Sequence, residues 1–461
     1  MIAKGVIMRW ALPTRPWCPR DVVFRRQEMK IRVIKLGAVL ALAFSASLFA
    51  GDGIPMGDAV FYPSVEAIYS HTDNLFMQDK SEPGGLWSDS YWAIRPTLGF
   101  EFPFKQSYVR FNLGYQYKDY DKYNLTDHNT WIFDFDSKFK FSNNSVLTLR
   151  DHFLQGVQEV QKVDPGYEAT FGNDKFNYNE FQVGYDFDLN KTNSMGVFGT
   201  WTTVDFDQHA NEVQPFYGYD QLGGGLNWKY HLNATNNFLL QYTYIQSKPD
   251  HTYSTIWLDT DPYKKYNSNE LLAGWEGSVN RYFSGYAKAG YRKMSFTQNN
   301  YADFSGVVID SAMKFNFTDL FKLDLNLYRL PYQSAYNVNN YYVTEGIQAQ
   351  LHQQVTRYFF WSAGYLYQQN GYPNQTLGDV NGDSFIDDPM GYMTQGQKRR
   401  DDISRLFGEL GFHVTRQLSM RVNYQHENRD SNINYWDGYG VHRHPFSYTE
   451  DRFTFQAQLG W

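Results

Sequence analysis

From Val109 to Tyr117 every second residue is apolar (Val109, Phe111, Leu113, Tyr115, Tyr117), and Arg110, Asn112, Gly114 and Gln116 lie between them. The same period recurs from Trp131 to Phe141, where only Ser137 interrupts the apolar series and Asp134, Asp136, Lys138 and Lys140 alternate with it. It recurs again at Phe181–Leu189, against Gln182, Gly184, Asp186 and Asp188, and at Phe321–Leu327, against Lys322, Asp324 and Asn326. Successive side chains of a strand point to opposite faces, so each segment carries one apolar and one polar side. The segments run roughly 10–13 residues, longer than the strands of soluble sheets and suited to tilted membrane strands.

The connections alternate as well. Short turns at 103–107, 142–145, 190–193, 233–237, 280–282, 318–320, 355–357 and 415–417 interleave with longer polar links such as 157–175, 248–266, 370–401 and 429–447. A soluble β-sandwich has no reason to alternate in this way, whereas an outer-membrane barrel puts short turns in the periplasm and long loops outside. The expected fold is therefore all-β: a transmembrane up-and-down antiparallel barrel of about 18 strands occupying 51–461, with 16 or 20 strands left open. An even count places both termini in the periplasm. Pro63 is expected at the start of the first strand, where its missing N–H is tolerated.

Composition agrees. The chain holds 37 Tyr, 36 Phe and 12 Trp, yet its mean hydropathy is -0.57. A soluble core would draw on Leu, Ile, Val and Ala instead, while aromatics alternating with polar residues suit a wall between lipid and water. The net charge of -7 argues against a nucleic-acid partner.

Export is written near the start. Met29-Lys30-Ile31-Arg32-Val33-Ile34-Lys35 precedes an apolar run from Leu36 to Ala50, the pattern of a secretory signal over 29–50, with cleavage between Ser47 and Gly51. Residues 1–28 then read as an extension from a misassigned start. The single cysteine, Cys18, lies upstream of the signal, so disulfides, thiolate-bound zinc and haem attachment are excluded from the mature chain. No later stretch approaches the ~20 apolar residues of a membrane helix, which leaves a closed barrel as the only way to satisfy every backbone group in lipid. The terminal run Phe453-Thr-Phe455-Gln-Ala457-Gln-Leu459-Gly-Trp461 resembles the last-strand signal read by the barrel-assembly machinery. Lipid and lipopolysaccharide are the other expected partners.

At this strand number side chains cannot fill the interior, so a channel or an infolded loop occupies it. Gly51–Asp58 is too short for a plug domain, and the loops 157–175, 248–266, 370–401 and 429–447 are the candidates for occlusion. Residues expected to line the lumen are Arg110, Lys118, Asp134, Asp136, Lys138, Lys140, Asp186, Asp188, Lys322, Asp324, Arg405, Glu409, Arg421 and Glu427. Both signs are mixed, without the positive ring that a strongly acidic polymer would call for. Tyr328 and other inward aromatics are candidates for stacking against sugar rings. No GxSxG, HExxH, P-loop or Rossmann fingerprint is present, so no enzyme is expected.

One loop carries a sharper pattern. Asp379-Val-Asn381-Gly-Asp383-Ser-Phe385-Ile-Asp387-Asp388 spaces side-chain oxygens at Asp379, Asn381, Asp383 and Asp387, with the Phe385 carbonyl at position 7, as a calcium loop does. Ser384 stands where glycine usually makes the turn and Met390 where a bidentate Glu closes the shell; Asp388 is a substitute, and an acidic solvated loop is the alternative. A chain carrying both Asp379→Ala and Asp383→Ala is expected to lose bound calcium and to be cleaved faster in this loop. Unchanged metal content and protease resistance rule the site out.

The opening Tyr62-Pro-Ser-Val-Glu-Ala-Ile-Tyr69-Ser-His-Thr72-Asp73-Asn74-Leu-Phe76 resembles the first strand and turn of the putative β-barrel porin 2 family, and Tyr91–Phe100 and Leu113–Tyr120 are similar to its second and third strands. The resemblance implies an outer-membrane barrel encoded beside exopolysaccharide or capsule genes, and so passive export of such a polymer together with periplasmic export components. Two alternatives stay open: a general or substrate-selective uptake porin, and a structural sheath around an electron-transfer partner, as in porin–cytochrome conduits.

Overall fold

The computed structural model describes residues 53–79, 86–123, 128–142, 144–157, 165–168, 175–206, 218–249, 265–297, 302–334, 339–375, 397–433, 435–436, 442–443 and 446–461. The expected extension (1–28) and signal (29–50) lie outside them. The strands are β1 (Ile54–Met56), β2 (Ala59–Thr72), β3 (Asp89–Phe104), β4 (Ser107–Tyr120), β5 (His128–Ser142), β6 (Ser145–Gly156), β7 (Phe176–Asn190), β8 (Asn193–Phe206), β9 (Tyr219–Asn233), β10 (Asn236–Pro249) and β11 (Tyr266–Asn280). They continue with β12 (Phe283–Phe296), β13 (Phe304–Asn316), β14 (Phe321–Gln333), β15 (Tyr341–Gln354), β16 (Phe359–Gln375), β17 (Lys398–His413), β18 (Leu418–Ser431), the two-residue strands β19 (Tyr435–Trp436) and β20 (His442–Arg443), and β21 (Tyr448–Gly460).

Strands β2 to β18 each pair antiparallel with the next, β18 pairs with β21, and β21 returns to β2 with Ser64 opposite Gly460 and Thr72 opposite Arg452. These 18 strands form a closed antiparallel ring, so no row of backbone N–H and C=O groups is left at an edge. The seam is completed by Trp461 N donating to Pro63 O at 3.2 Å.

Large apolar side chains, among them Leu226, Leu240, Leu271, Val307, Ile347 and Leu406, are exposed on the outer face, an arrangement that suits hydrocarbon and not water. Outward tyrosines mark one boundary of this band: Tyr242, Tyr367 and Tyr424 donate to Asn269 (2.7 Å), Asp402 (2.9 Å) and Asp451 (2.6 Å). At the other boundary Tyr282, Tyr358, Phe141 and Phe317 are exposed, and the indoles of Trp228 and Trp275 donate to Asn193 (3.1 Å) and Asn236 (3.0 Å). Aromatic rings with one polar contact are the expected occupants of both membrane–water interfaces.

Six of the short turns share one device, a side-chain oxygen closing the turn on its own backbone. Asn190, Asn233 and Asn280 accept from the N–H groups of Thr192, Thr235 and Tyr282. Thr318, Thr356 and Thr415 accept from those of Leu320, Tyr358 and Gln417.

Three features depart from the sequence expectation. Ahead of the first strand expected to start near Pro63, β1 forms a small hairpin with β2 about Gly57, whose φ of +65° permits the two-residue turn. Pro63 lies inside β2 rather than at its start, but its missing N–H points to the end of the β2–β21 ladder, which begins only at Ser64. Toward the long loops β16 runs to Gln375, β17 starts at Lys398 and β18 runs to Ser431, beyond the expected 369, 402 and 428. Apolar alternation stops where the outer face leaves the hydrocarbon, while backbone pairing continues into water, as at Asn370 opposite Asp401 and Asp401 opposite Ser431.

Candidate functional site in the barrel lumen

The pleat that turns Leu113, Tyr117, Leu406 and Leu410 outward places Arg110, Lys118, Arg405 and Glu409 on the inner face of the same strands. By the same alternation Asp134, Asp136, Lys138, Lys140, Asp186, Asp188, Lys322, Asp324, Arg421 and Glu427 stand on the side opposite the exposed apolar residues. The cross-strand register brings many of these charges to an opposite one. Arg110 Nε donates to Glu101 at 3.0 Å, Arg150 Nε to Asp136 at 3.2 Å, and His152 Nδ1 lies 2.6 Å from Asp134. Asp324 faces His352 at 3.1 Å and Lys314 at 3.7 Å. Further pairs are Arg292–Glu270 at 2.5 Å, Lys229–Glu276 at 2.6 Å and Lys288–Asp310 at 3.3 Å. Lys118 stands 3.9 Å above the Tyr91 ring, a cation–π contact. Most of these pairs are partly exposed and contribute little stability; each leaves little net field at its own stretch of the wall.

At the short-turn end the lumen holds a cavity of about 660 Å³ whose lining includes Glu66, Arg95, Asp134, Arg421, Gln458 and Trp461. At the other end it is narrowed. Pro165–Glu168 belongs to the connection between β6 and β7, yet its partners lie on β15–β18, the opposite wall of the ring. Of the four loops expected as occluders, 157–175 therefore sets its described residues 165–168 against the far wall.

The docking is dense and buried. Gln368 Nε2 and Asn370 Nδ2 each donate to Gly166 O at 2.7 Å. Arg429 donates to Tyr167 O (2.8 Å), to Glu168 O (2.6 Å) and to Asp401 Oδ2 (2.5 Å). Arg399 grips Asp401 with Nε and Nη2, lies 3.2 Å from Glu168 O, and stacks over the rings of Phe446 (3.5 Å) and Tyr372 (4.5 Å). Ser334 donates to the Glu168 carboxylate. Glu168, Asn370 and Asp401 are fully buried and Arg429 is 1% exposed. Two arginines, one aspartate and one glutamate bring the formal charge of the cluster to zero, which is what allows it to sit out of water.

Two local features show that this backbone is held in place by its contacts. A Cβ at position 166 would overlap the Tyr342 ring and Thr344 Oγ1, so the chain comes as close to the wall as only glycine allows. Tyr167 has φ of +55°, unfavourable for a non-glycine residue unless the surroundings enforce it. Its ring lies 4.6 Å from the guanidinium of Arg405, which also donates to Glu427 at 2.5 Å; Tyr448 donates to the other Glu427 oxygen.

Arg399, Asp401 and Arg429 were not among the residues read from the sequence, because they fall where the apolar alternation has ended. The available signal was the inner-face series Arg399-x-Asp401-x-Ile403-x-Arg405, which keeps the period of β17. The calcium-loop residues Asp379, Asn381, Asp383, Phe385 and Asp387 lie outside the described residues.

A family described as Putative beta-barrel porin 2 matches residues 47–439. No curated protein matches the sequence. Among solved structures, Pseudomonas aeruginosa OccK2 (OpdF) in complex with glucuronate is similar at 10% identity and a TM-score of 0.45, over 89% of this chain and 100% of that one. Acinetobacter baumannii OccAB4 gives 10% and 0.44 over 87% and 98%, and the siderophore receptor PirA of Pseudomonas aeruginosa 7% and 0.41 over 87% and 80%.

Proposed function

Because the chain belongs to the putative beta-barrel porin 2 family, we propose that this porin-like outer-membrane barrel is a selective diffusion channel for small, uncharged polar solutes, taken up down their gradient. The observation that carries this reading is the anchoring of Pro165–Glu168 against the far wall by a buried, charge-balanced cluster. A lumen crossed by a fixed segment is a filter by size, and paired wall charges leave no strong preference for either ion sign. The polymer-export expectation fares less well on the same observation, since an extended glycan would have to thread past the docked segment. In this reading the short turns and both termini face the periplasm, and β21, ending at Trp461, is the strand presented to the assembly machinery.

The test is solute entry into liposomes carrying the purified barrel. Neutral mono- and disaccharides are expected to enter at rates falling steeply with size, and anionic and cationic solutes of equal size at similar rates. Vesicles that admit no solute, together with a deletion strain that loses its surface polysaccharide, would overturn uptake in favour of export.

A further inference from the structure

On the inner wall of β14–β17 three aromatic rings each reach over a glycine directly opposite on the neighbouring strand. Phe360 faces Gly411, Phe407 faces Gly364, and Tyr328 faces Gly346. In each pair a Cβ on the glycine would overlap the ring, so the ring occupies the space that a side chain would fill. All three rings are partly exposed. Their levels are set by the register: Gly346 pairs with Gln368, so along β16 the rings stand beside positions 360, 364 and 368. Steps of four residues separate them by roughly 13 Å each, at ~3.3 Å per residue. The lowest ring adjoins His413, 5.6 Å away, which lines the short-turn cavity, and the highest donates to Gln368 at 2.8 Å, the residue that holds Gly166. The rings form a path from one mouth of the pore to its constriction.

Hydrogen-bonding side chains flank the path at each step. Gln350 faces Gly364 and donates to Ser362 at 3.3 Å; Glu409 stands opposite Ser362 and Asn423 opposite Glu409; Gln425 stands opposite Phe407 and donates to Glu427 at 3.3 Å. Flat π-faces carry partial negative charge, and the axial C–H groups on one side of a pyranose form a flat, weakly positive surface that packs on them. The hydroxyls of the same ring project sideways, where amides and carboxylates stand ready to bond them.

From this geometry we infer that Phe360, Phe407 and Tyr328 form a binding track for the pyranose rings of neutral sugars, which names the substrate class of the proposed channel and rests on that reading for its transport role. The probe is maltohexaose, titrated calorimetrically into the full barrel in detergent, so that binding is read independently of conductance. Phe407→Leu, which keeps apolar volume but removes the π-face, is expected to weaken binding about 5-fold, in line with the energy of one aromatic contact, and Phe407→Trp to preserve it. Should Phe407→Leu fail to assemble, Phe360→Leu gives the same reading. A barrel that conducts salt but binds no maltohexaose, or binds it equally well in the leucine variants, overturns the track while sparing the channel. A barrel that binds the sugar but conducts nothing supports the track and overturns the channel.

Discussion

Arg429→Ala is expected to release Pro165–Glu168 from the far wall and to raise single-channel conductance, while the purified barrel keeps its heat-modifiable mobility. The guanidinium is buried and its Nη groups serve Asp401 and the carbonyls of Tyr167 and Glu168. Its loss leaves Arg399 as the one arginine paired with Asp401 and deprives the Tyr167 carbonyl of its donor. Removing one partner of a buried ionic cluster costs on the order of 3–5 kcal/mol, enough to undock four residues whose backbone already carries the unfavourable φ at Tyr167. The ring itself should survive, because its closure rests on the backbone ladder and not on this cluster. Arg429→Lys should rescue only in part, since one ammonium cannot replace a fork bonded to a carboxylate and two carbonyls. Unchanged conductance in a folded Arg429→Ala barrel would show that the docked segment does not limit flow.

A second large effect should depend on a single step along one strand. Leu325 faces outward in β14, between Met313 and Ala349, and Leu325→Arg is expected to destabilise the barrel by about 2–4 kcal/mol in lipid, the cost of an arginine near the bilayer midplane. Asn326, the next residue, faces inward between Ala312 and Gln348. Asn326→Arg should leave stability nearly unchanged and instead shift ion preference toward anions. Equilibrium unfolding in liposomes measures the first effect and reversal potentials in a salt gradient the second. Equal destabilisation by both changes would contradict the assignment of faces.

The resemblance at the first three strands pointed to polymer export, and the docked segment turns the reading toward a filter for small solutes. The two readings part for a clear reason. Tyr62–Phe76 and Tyr91–Phe100 describe strands of the wall, and a wall is common to pores of either direction.

How much could be read from residues alone follows from the range of the forces involved. Alternation is local and lipid enforces it: an apolar residue at every second place is the only way a strand can face hydrocarbon and water at once. Val109–Tyr117 and Phe321–Leu327 therefore announced their strands, and turn residues such as Asn190 and Thr318 announced the hairpins, close to where they are observed. Past the hydrocarbon that constraint lifts, and the ends of β16, β17 and β18 were invisible for that reason. The meeting of the Glu168 carbonyl with Arg399 and Arg429, which also pair with Asp401, joins residues more than 200 positions apart through the register of a closed ring. No local pattern encodes such a meeting, because the long-range pairing creates the neighbourhood in which a buried charge finds its partner.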